Sequence, residues 1–180
     1  MKDCPLKRSI HIIYTAWIIH NPIQTVLTGL APNGGLYIPE YIPSLPTDWK
    51  TKWRAYSFVE LCVAVLSLYI SAEEISSSEL TQLAERSYAS FRHPDVTPLR
   101  RLNEKTFVLE LFHGPTYAFK DVALQLLGNL FEFFLARRNK TKTDEKEMEK
   151  LTVLGATSGD TGRCANFPVF MLYRYLIILC

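Results

Sequence analysis

Cysteine is scarce and scattered. The four thiols, Cys4, Cys62, Cys164 and Cys180, form no Cys-x-x-Cys pair and show no zinc-type spacing. Neither a disulfide framework nor a zinc module is expected from them. Free thiols in a reducing compartment are the reading, with Cys62, inside an apolar run, as a small core residue. An excess of one charge sign is also lacking. Twenty basic residues against 18 acidic ones leave +2, which gives no electrostatic footprint for nucleic acid or an anionic membrane. A bilayer-spanning run is lacking as well. The segment 167–180, "FPVFMLYRYLIILC", is too short and carries Arg174. "IHIIYTAWII" at 10–19 follows Lys7 and Arg8 as a signal peptide would, but His20, Asn21 and Pro22 come next without a small-x-small cleavage site. A cytoplasmic chain with no membrane segment is expected. The glycines at 155, 159 and 162 do not make G-x-G-x-x-G, and no Gly-Lys-Ser/Thr follows them, which excludes a P-loop. "YAFK" at 117–120 has no preceding Gly-rich loop, and the chain has no H-R-D or D-F-G, which excludes a protein kinase. No internal repeat is found.

What is present suits a globular fold. The 180 residues are 48% hydrophobic and 21% charged, enough for a core in one domain or one domain plus an extension. "GLAPNGGLYIPEYIPSLP" from Gly29 to Pro46 reads as turns and short extended pieces, with Asn33-Gly34 as a strong turn signal. "SFVELCVAVLSLYI" at 57–70 is apolar almost all round and predicts a buried helix. Ser76 and Glu79 have capping-box spacing before a helix over about 77–90, with Leu80, Leu83 and Ala84 on one face. Pro94 and Pro98 then punctuate a loop.

"TFVLELF" at 106–112 alternates as a strand, and "DVALQLLGNLFEFFLARR" at 121–138 predicts a helix buried on most sides. Arg137 and Arg138 suit its C-terminal pole. "NKTKTDEKEMEK" at 139–150 is a solvated linker, "LTVLGA" at 151–156 a short strand and "TSGDTG" at 157–162 a Gly-containing loop. Strand, loop, long helix, linker, strand and Gly loop in that order predict the beginning of an open α/β sheet. Ligands of such sheets bind at loops after the C-terminal ends of strands.

Two loops occupy such positions, and each has two readings. Lys120 lies in "HGPTYAFKD" at 113–121, with Asp121 after it. It reads as a surface or snorkelling lysine at a helix start. It also reads as an amine desolvated by Tyr117, Phe119 and the following helix, with a lowered pKa suited to Schiff-base chemistry with a carbonyl compound. Pyridoxal phosphate is the common biological partner for such an amine. In TSGDTG, backbone amides and the hydroxyls of Thr157, Ser158 and Thr161 suit an anion. An ordinary strand-to-helix turn capped by Asp160 or Thr161 is the plainer reading. His113, an isolated histidine, reads as a loop-packing or hydrogen-bonding residue rather than a general base.

Together, "LELFHGPTYAFKDVALQLLGNLFEFFL" at 109–135 and "LTVLGATSGDTG" at 151–162 resemble the threonine synthase family, especially its fungal-type branch. "GLAPNGGLYIPE" at 29–40 and "SYASFRHPDVTPL" at 87–99 fit the same resemblance, which runs from Gly29 to Gly162. It implies an α/β, fold-type II enzyme dependent on pyridoxal 5'-phosphate, with an open, mostly parallel sheet flanked by helices. It implies a carbon-oxygen lyase that converts O-phospho-L-homoserine and water to L-threonine and phosphate. Lys120 would be both the Schiff-base lysine and a catalytic proton shuttle. Thr157, Ser158, Gly159, Asp160, Thr161 and Gly162 would hold the substrate carboxylate. No metal, nucleic acid or membrane is implied.

The resemblance divides the chain into an N-terminal domain at 1–104, the start of the catalytic domain at 105–162 and a divergent apolar tail at 163–180. Residues 1–28 depart from the family, because "KRSIHIIYTAWIIHNPIQTVLTG" lacks its Tyr-x-Ser-Thr-Arg stretch. After Gly162 the chain reads "RCANFPVFMLYRYLIILC", where Pro168 would break the family's helix. The family's Gly-rich cofactor-phosphate loop and its partner for the pyridine nitrogen are not found. The expectation is therefore a truncated chain with little activity of its own and weak attachment of the cofactor. Two alternatives accompany this reading. One is a phospho-amino-acid lyase that releases a 2-oxo acid. The other is a non-catalytic fragment or mispredicted gene product.

Overall fold

The computed structural model describes residues 22–32, 34–37, 39, 42–144, 146–151, 153–156 and 176–179. Helix α1 spans Pro22–Thr28 and ends where Gly29 takes a left-handed φ of 73°, a conformation open to glycine without a Cβ penalty. Leu30 and Leu36 then bridge antiparallel around a turn in which the Gly34 amide donates to the Ala31 carbonyl at 2.8 Å. Gly34 has a φ of 79°, the turn chemistry expected of this segment. Two short pieces follow, α2 at Trp49–Lys52 and a 3-10 turn at Trp53–Ala55.

Helix α3 covers Phe58–Leu66 and α4 covers Ser77–Tyr88. Each begins with a capping box, Ser57 with Glu60 and Ser76 with Glu79. The second was expected. In both, hydrogen bonds from the serine hold the glutamate carboxyl below its usual range.

Expectation and structure part at α3. The predicted buried helix over 57–70 is shorter, and none of its residues is fully buried. Phe58, Val59, Cys62, Val63 and Leu66 supply its contacts with the cores, while Leu61 and Val65 are each 38% exposed. Those contacts recur at helical spacing and form one stripe. With packing neighbours on that stripe alone among the described residues, the opposite face meets solvent whatever its composition.

The core lies between α4 and α5, the latter spanning Asp121–Asn139. Ile75, Leu80, Leu83, Leu130 and Phe134 form the main cluster, with Val26 and Leu27 of α1 packed against it. Ala84, Tyr88 and Val96 form a second cluster with Phe91 and Leu126. A polar ladder crosses the same interface. Ser87 Oγ donates to the Leu83 carbonyl at 2.6 Å, and Asn129 Nδ2 donates to Ser87 Oγ at 2.9 Å and to the Gln125 carbonyl at 2.8 Å. Leaving one of these buried groups unpaired would cost about 1–3 kcal/mol, so the ladder selects one register of α4 on α5. The partly buried α5 is thus apolar and polar by turns inside, rather than uniformly apolar.

The strands differ most from expectation. Strand β1, Leu99–Arg101, pairs antiparallel with β2, Phe107–Leu109, in the register Leu99↔Leu109, Arg100↔Val108 and Arg101↔Phe107. The turn between them closes on Asn103, whose Oδ1 accepts from the amides of Lys105 and Thr106. So short a connection permits only antiparallel pairing. All six strand residues are exposed. Strand β3, Val153–Ala156, pairs parallel with β4, Leu176–Leu179, within the apolar tail for which the sequence predicts no element. The expected open, mostly parallel sheet is therefore not assembled among the described residues. They hold one antiparallel and one parallel pair. The linker after α5 is exposed as expected. Its Glu149 pairs with Arg138 and Lys142 at 3.1 and 3.0 Å. Among the described residues, no helix is long and apolar enough to cross a membrane.

Phe134, 1% exposed, anchors the main cluster. Phe134→Ala should lower unfolding free energy by about 3–5 kcal/mol, read from urea midpoints. A loss under about 1 kcal/mol would show that the core is not built around this ring.

Candidate active site at the start of helix α5

Lys120 occupies the N-cap position of α5 with helical backbone angles, φ −63° and ψ −22°. The helix starts through a tight turn. The Asp121 amide donates to the Ala118 carbonyl at 3.0 Å, and the Leu124 amide to the Lys120 carbonyl at 2.9 Å. The preceding loop, residues 113–120, is fixed to this start by Asp121, which has no exposed surface. Its Oδ2 accepts from the Thr116 amide at 2.8 Å and its Oδ1 from Thr116 Oγ1 at 2.9 Å. A carboxylate in the first turn also meets the positive pole of the helix. Gly114 lies against this side chain. A Cβ on residue 114 would fall on the Cβ and Oδ2 of Asp121 and 2.7 Å from its Cγ.

Segments distant in sequence hold the other side of the loop. The Arg92 amide donates to the His113 carbonyl at 2.9 Å. Its guanidinium donates through Nη1 to the Gly114 carbonyl and through Nη2 to the Pro115 carbonyl, the latter at 3.3 Å. The same group lies 4.0 Å from the centroid of the Tyr117 ring. His113 is paired with Glu110, Nε2 to Oε2 at 2.7 Å, and its ring is 5.0 Å from that of His93. As expected, His113 is a packing and hydrogen-bonding residue of the loop. Below the loop, the Tyr88 hydroxyl donates to the Val122 carbonyl at 3.0 Å and lies 3.8 Å from Cys62 Sγ. Burial pushes the Tyr88 hydroxyl far above its ordinary pKa and also raises that of the Cys62 thiol. Both are neutral near pH 7, and Cys62 is half-buried rather than fully in the core.

The Lys120 side chain is half-buried. Its Nζ lies 5.5 Å from the Phe119 ring centroid, and among the described residues it has no hydrogen-bond or ion-pair partner. The expected aromatic enclosure is corrected, because Tyr117 is 64% and Phe119 62% exposed. Tyr117 is turned to Arg92 instead of covering the amine. The second sequence candidate, Thr157 to Gly162, lies outside the described residues. Arg92, Gly114, Thr116 and Asp121 are parts of the site that the sequence reading did not single out. Only the Gly-Pro pair at 114–115 and an acidic residue at a helix start signalled any of them.

The family model described as "Threonine synthase N terminus" matches residues 21–88. Threonine synthase of Schizosaccharomyces pombe is 58% identical over 144 residues, which cover 80% of this chain and 28% of that protein. The crystal structure of threonine synthase from yeast superposes with a TM-score of 0.79 at 45% identity, over 87% of this chain and 31% of that one.

Over this N-terminal region the chain is similar to the threonine synthases. A threonine synthase from Brucella melitensis, described as PLP-bound, gives a TM-score of 0.75 at 39% identity over 88% of this chain. The chain spans about a third or less of the length of these relatives.

Gly114→Ala tests the threonine synthase-like loop directly. The added methyl should destabilise the chain by about 1–3 kcal/mol through overpacking on Asp121. Thermal and urea unfolding check this, and an unchanged midpoint would mean that residue 114 does not press on Asp121.

Proposed function

We propose that this chain contributes the lysine-bearing part of a pyridoxal 5'-phosphate-dependent threonine synthase. The reaction is conversion of O-phospho-L-homoserine and water to L-threonine and phosphate, and the enzyme is a carbon-oxygen lyase. One observation carries the reading. An amine with no ion-pair partner among the described residues stands at the mouth of a helix, on a loop locked from both sides. An unpaired, half-buried amine fits attachment to an aldehyde, so the residues present suit one part of the cofactor's requirement. When bound, the cofactor supplies an electron sink for charge developing on the substrate carbon.

The chain's own groups have separate tasks in this reading. Lys120 holds the cofactor and moves protons at Nζ. Asp121 and Thr116 hold the loop that presents it. Thr157, Ser158, Gly159, Asp160, Thr161 and Gly162, which follow β3 in sequence, take the substrate carboxylate. Residues 1–104 form an N-terminal domain, 105–162 begin the catalytic domain and 163–180 are a divergent apolar tail. The high identity to the fission-yeast threonine synthase supports this reading over the lyase that releases a 2-oxo acid.

Treatment with pyridoxal 5'-phosphate and borohydride, then peptide mass mapping, is the test. Labelling should be weak in extent but selective for Lys120 over the exposed Lys50 and Lys105, and Lys120→Ala should remove the selective signal. Equal labelling of all lysines would sink the proposal.

A further inference from the structure

We infer that Arg92 is a positioning residue for the Lys120 amine. The inference rests on the reading of Lys120 as the cofactor-holding lysine. Arg92 is the one described residue that engages three consecutive loop carbonyls, those of His113, Gly114 and Pro115, the first through its amide and the others through its guanidinium. Its guanidinium also stacks on Tyr117 at 4.0 Å.

Tyr117 explains why such a clamp is required. Its φ of 63° is left-handed, a conformation that residues with a Cβ resist, and it lies three residues before Lys120. Strained backbone persists only where its surroundings over-determine it. The Tyr117 amide donates to the Gly114 carbonyl at 3.2 Å, the carbonyl that Arg92 Nη1 also holds. The guanidinium therefore grips both the turn's acceptor and the strained residue's ring. A planar fork can do both at once, whereas a lysine ammonium, as a point charge, cannot. The hydrogen bonds that Asp121 accepts come from Thr116 and not from Arg92. Its loss loosens the direction in which the chain enters Lys120 while the fold survives.

The test uses the full chain with two reagents. With pyridoxal 5'-phosphate, the Lys120 amine condenses with the aldehyde, water leaves, and hydride from borohydride reduces the C=N bond to a secondary amine that mass mapping detects. In Arg92→Ala the ratio of Lys120 to Lys50 label should fall about tenfold, the scale expected of small misplacement. Arg92→Lys should not recover it. Acetic anhydride needs no cofactor site, and its Lys120 to Lys50 ratio should rise in the same variants as the loosened loop exposes the amine. Circular dichroism and urea midpoints establish that each variant is folded, and Arg92→Lys carries the comparison should Arg92→Ala not fold. Unchanged ratios for both reagents in a folded variant overturn the proposal, as does full recovery by Arg92→Lys. Even labelling of wild-type lysines by pyridoxal phosphate, with the acetylation ratio still rising in the variants, overturns the cofactor reading alone and supports the positioning role.

Discussion

A carboxylate with no solvent exposure constrains everything around it, and in this chain that carboxylate is Asp121. Burying an ionised group without donors costs several kcal/mol. Asp121 meets the requirement with the amide and hydroxyl of Thr116 and with the helix pole beneath it. Each donor then imposes its own condition. Thr116 must return to the helix start, which bends residues 113–120 into a closed loop. That closure brings Gly114 onto the Asp121 side chain, where no Cβ fits. Lys120, the residue before Asp121, is presented at the loop's edge as a geometric consequence.

The helical layer gives this loop a rigid footing. Helices α4 and α5 are joined by apolar packing around Phe134 and by the Ser87–Asn129 ladder. Apolar contacts supply most of the stabilisation, but they tolerate small slips. The ladder does not, since a slip would leave buried donors unpaired. Tyr88 carries the same register to the first turn of α5 through its bond to the Val122 carbonyl. Position is thus passed from the α4–α5 interface to the residues beside Lys120.

Much of this footing was legible in the sequence. The Ser76–Glu79 box, the apolar face of α4 and the long apolar run of α5 are local signals, and the structure follows them closely. Non-local features were not legible. Strand β1 reads Leu-Arg-Arg and lacks β-type side chains, so only its pairing with β2 reveals it. The exposure of α3 depends on how many neighbours it has, which composition does not encode. At the site, Lys120 stood out through its motif. Arg92 did not, because its acceptors are backbone carbonyls more than twenty positions away and carbonyls have no residue type.

Among the described residues, the two left-handed non-glycine ones show how the same strain is held by different means. Val96, with φ 60°, is 4% exposed and packs with Ala84 and Tyr88. Burying a valine yields about 1.5–3 kcal/mol, which offsets a left-handed penalty of about 1–2 kcal/mol. Tyr117 has the same backbone sign with its ring mostly in solvent. Burial cannot offset its penalty, so polar contacts must do so. Hydrogen bonds to charged groups contribute about 1.5–3 kcal/mol each, less where solvent competes. The Arg92 guanidinium makes two to the loop and stacks on the ring as well. A strained turn beside Val96 is thus secured by the core, whereas the turn leading to Lys120 is secured at the surface. The second arrangement leaves the Tyr117 ring mostly in solvent on the turn that leads to the half-buried Lys120.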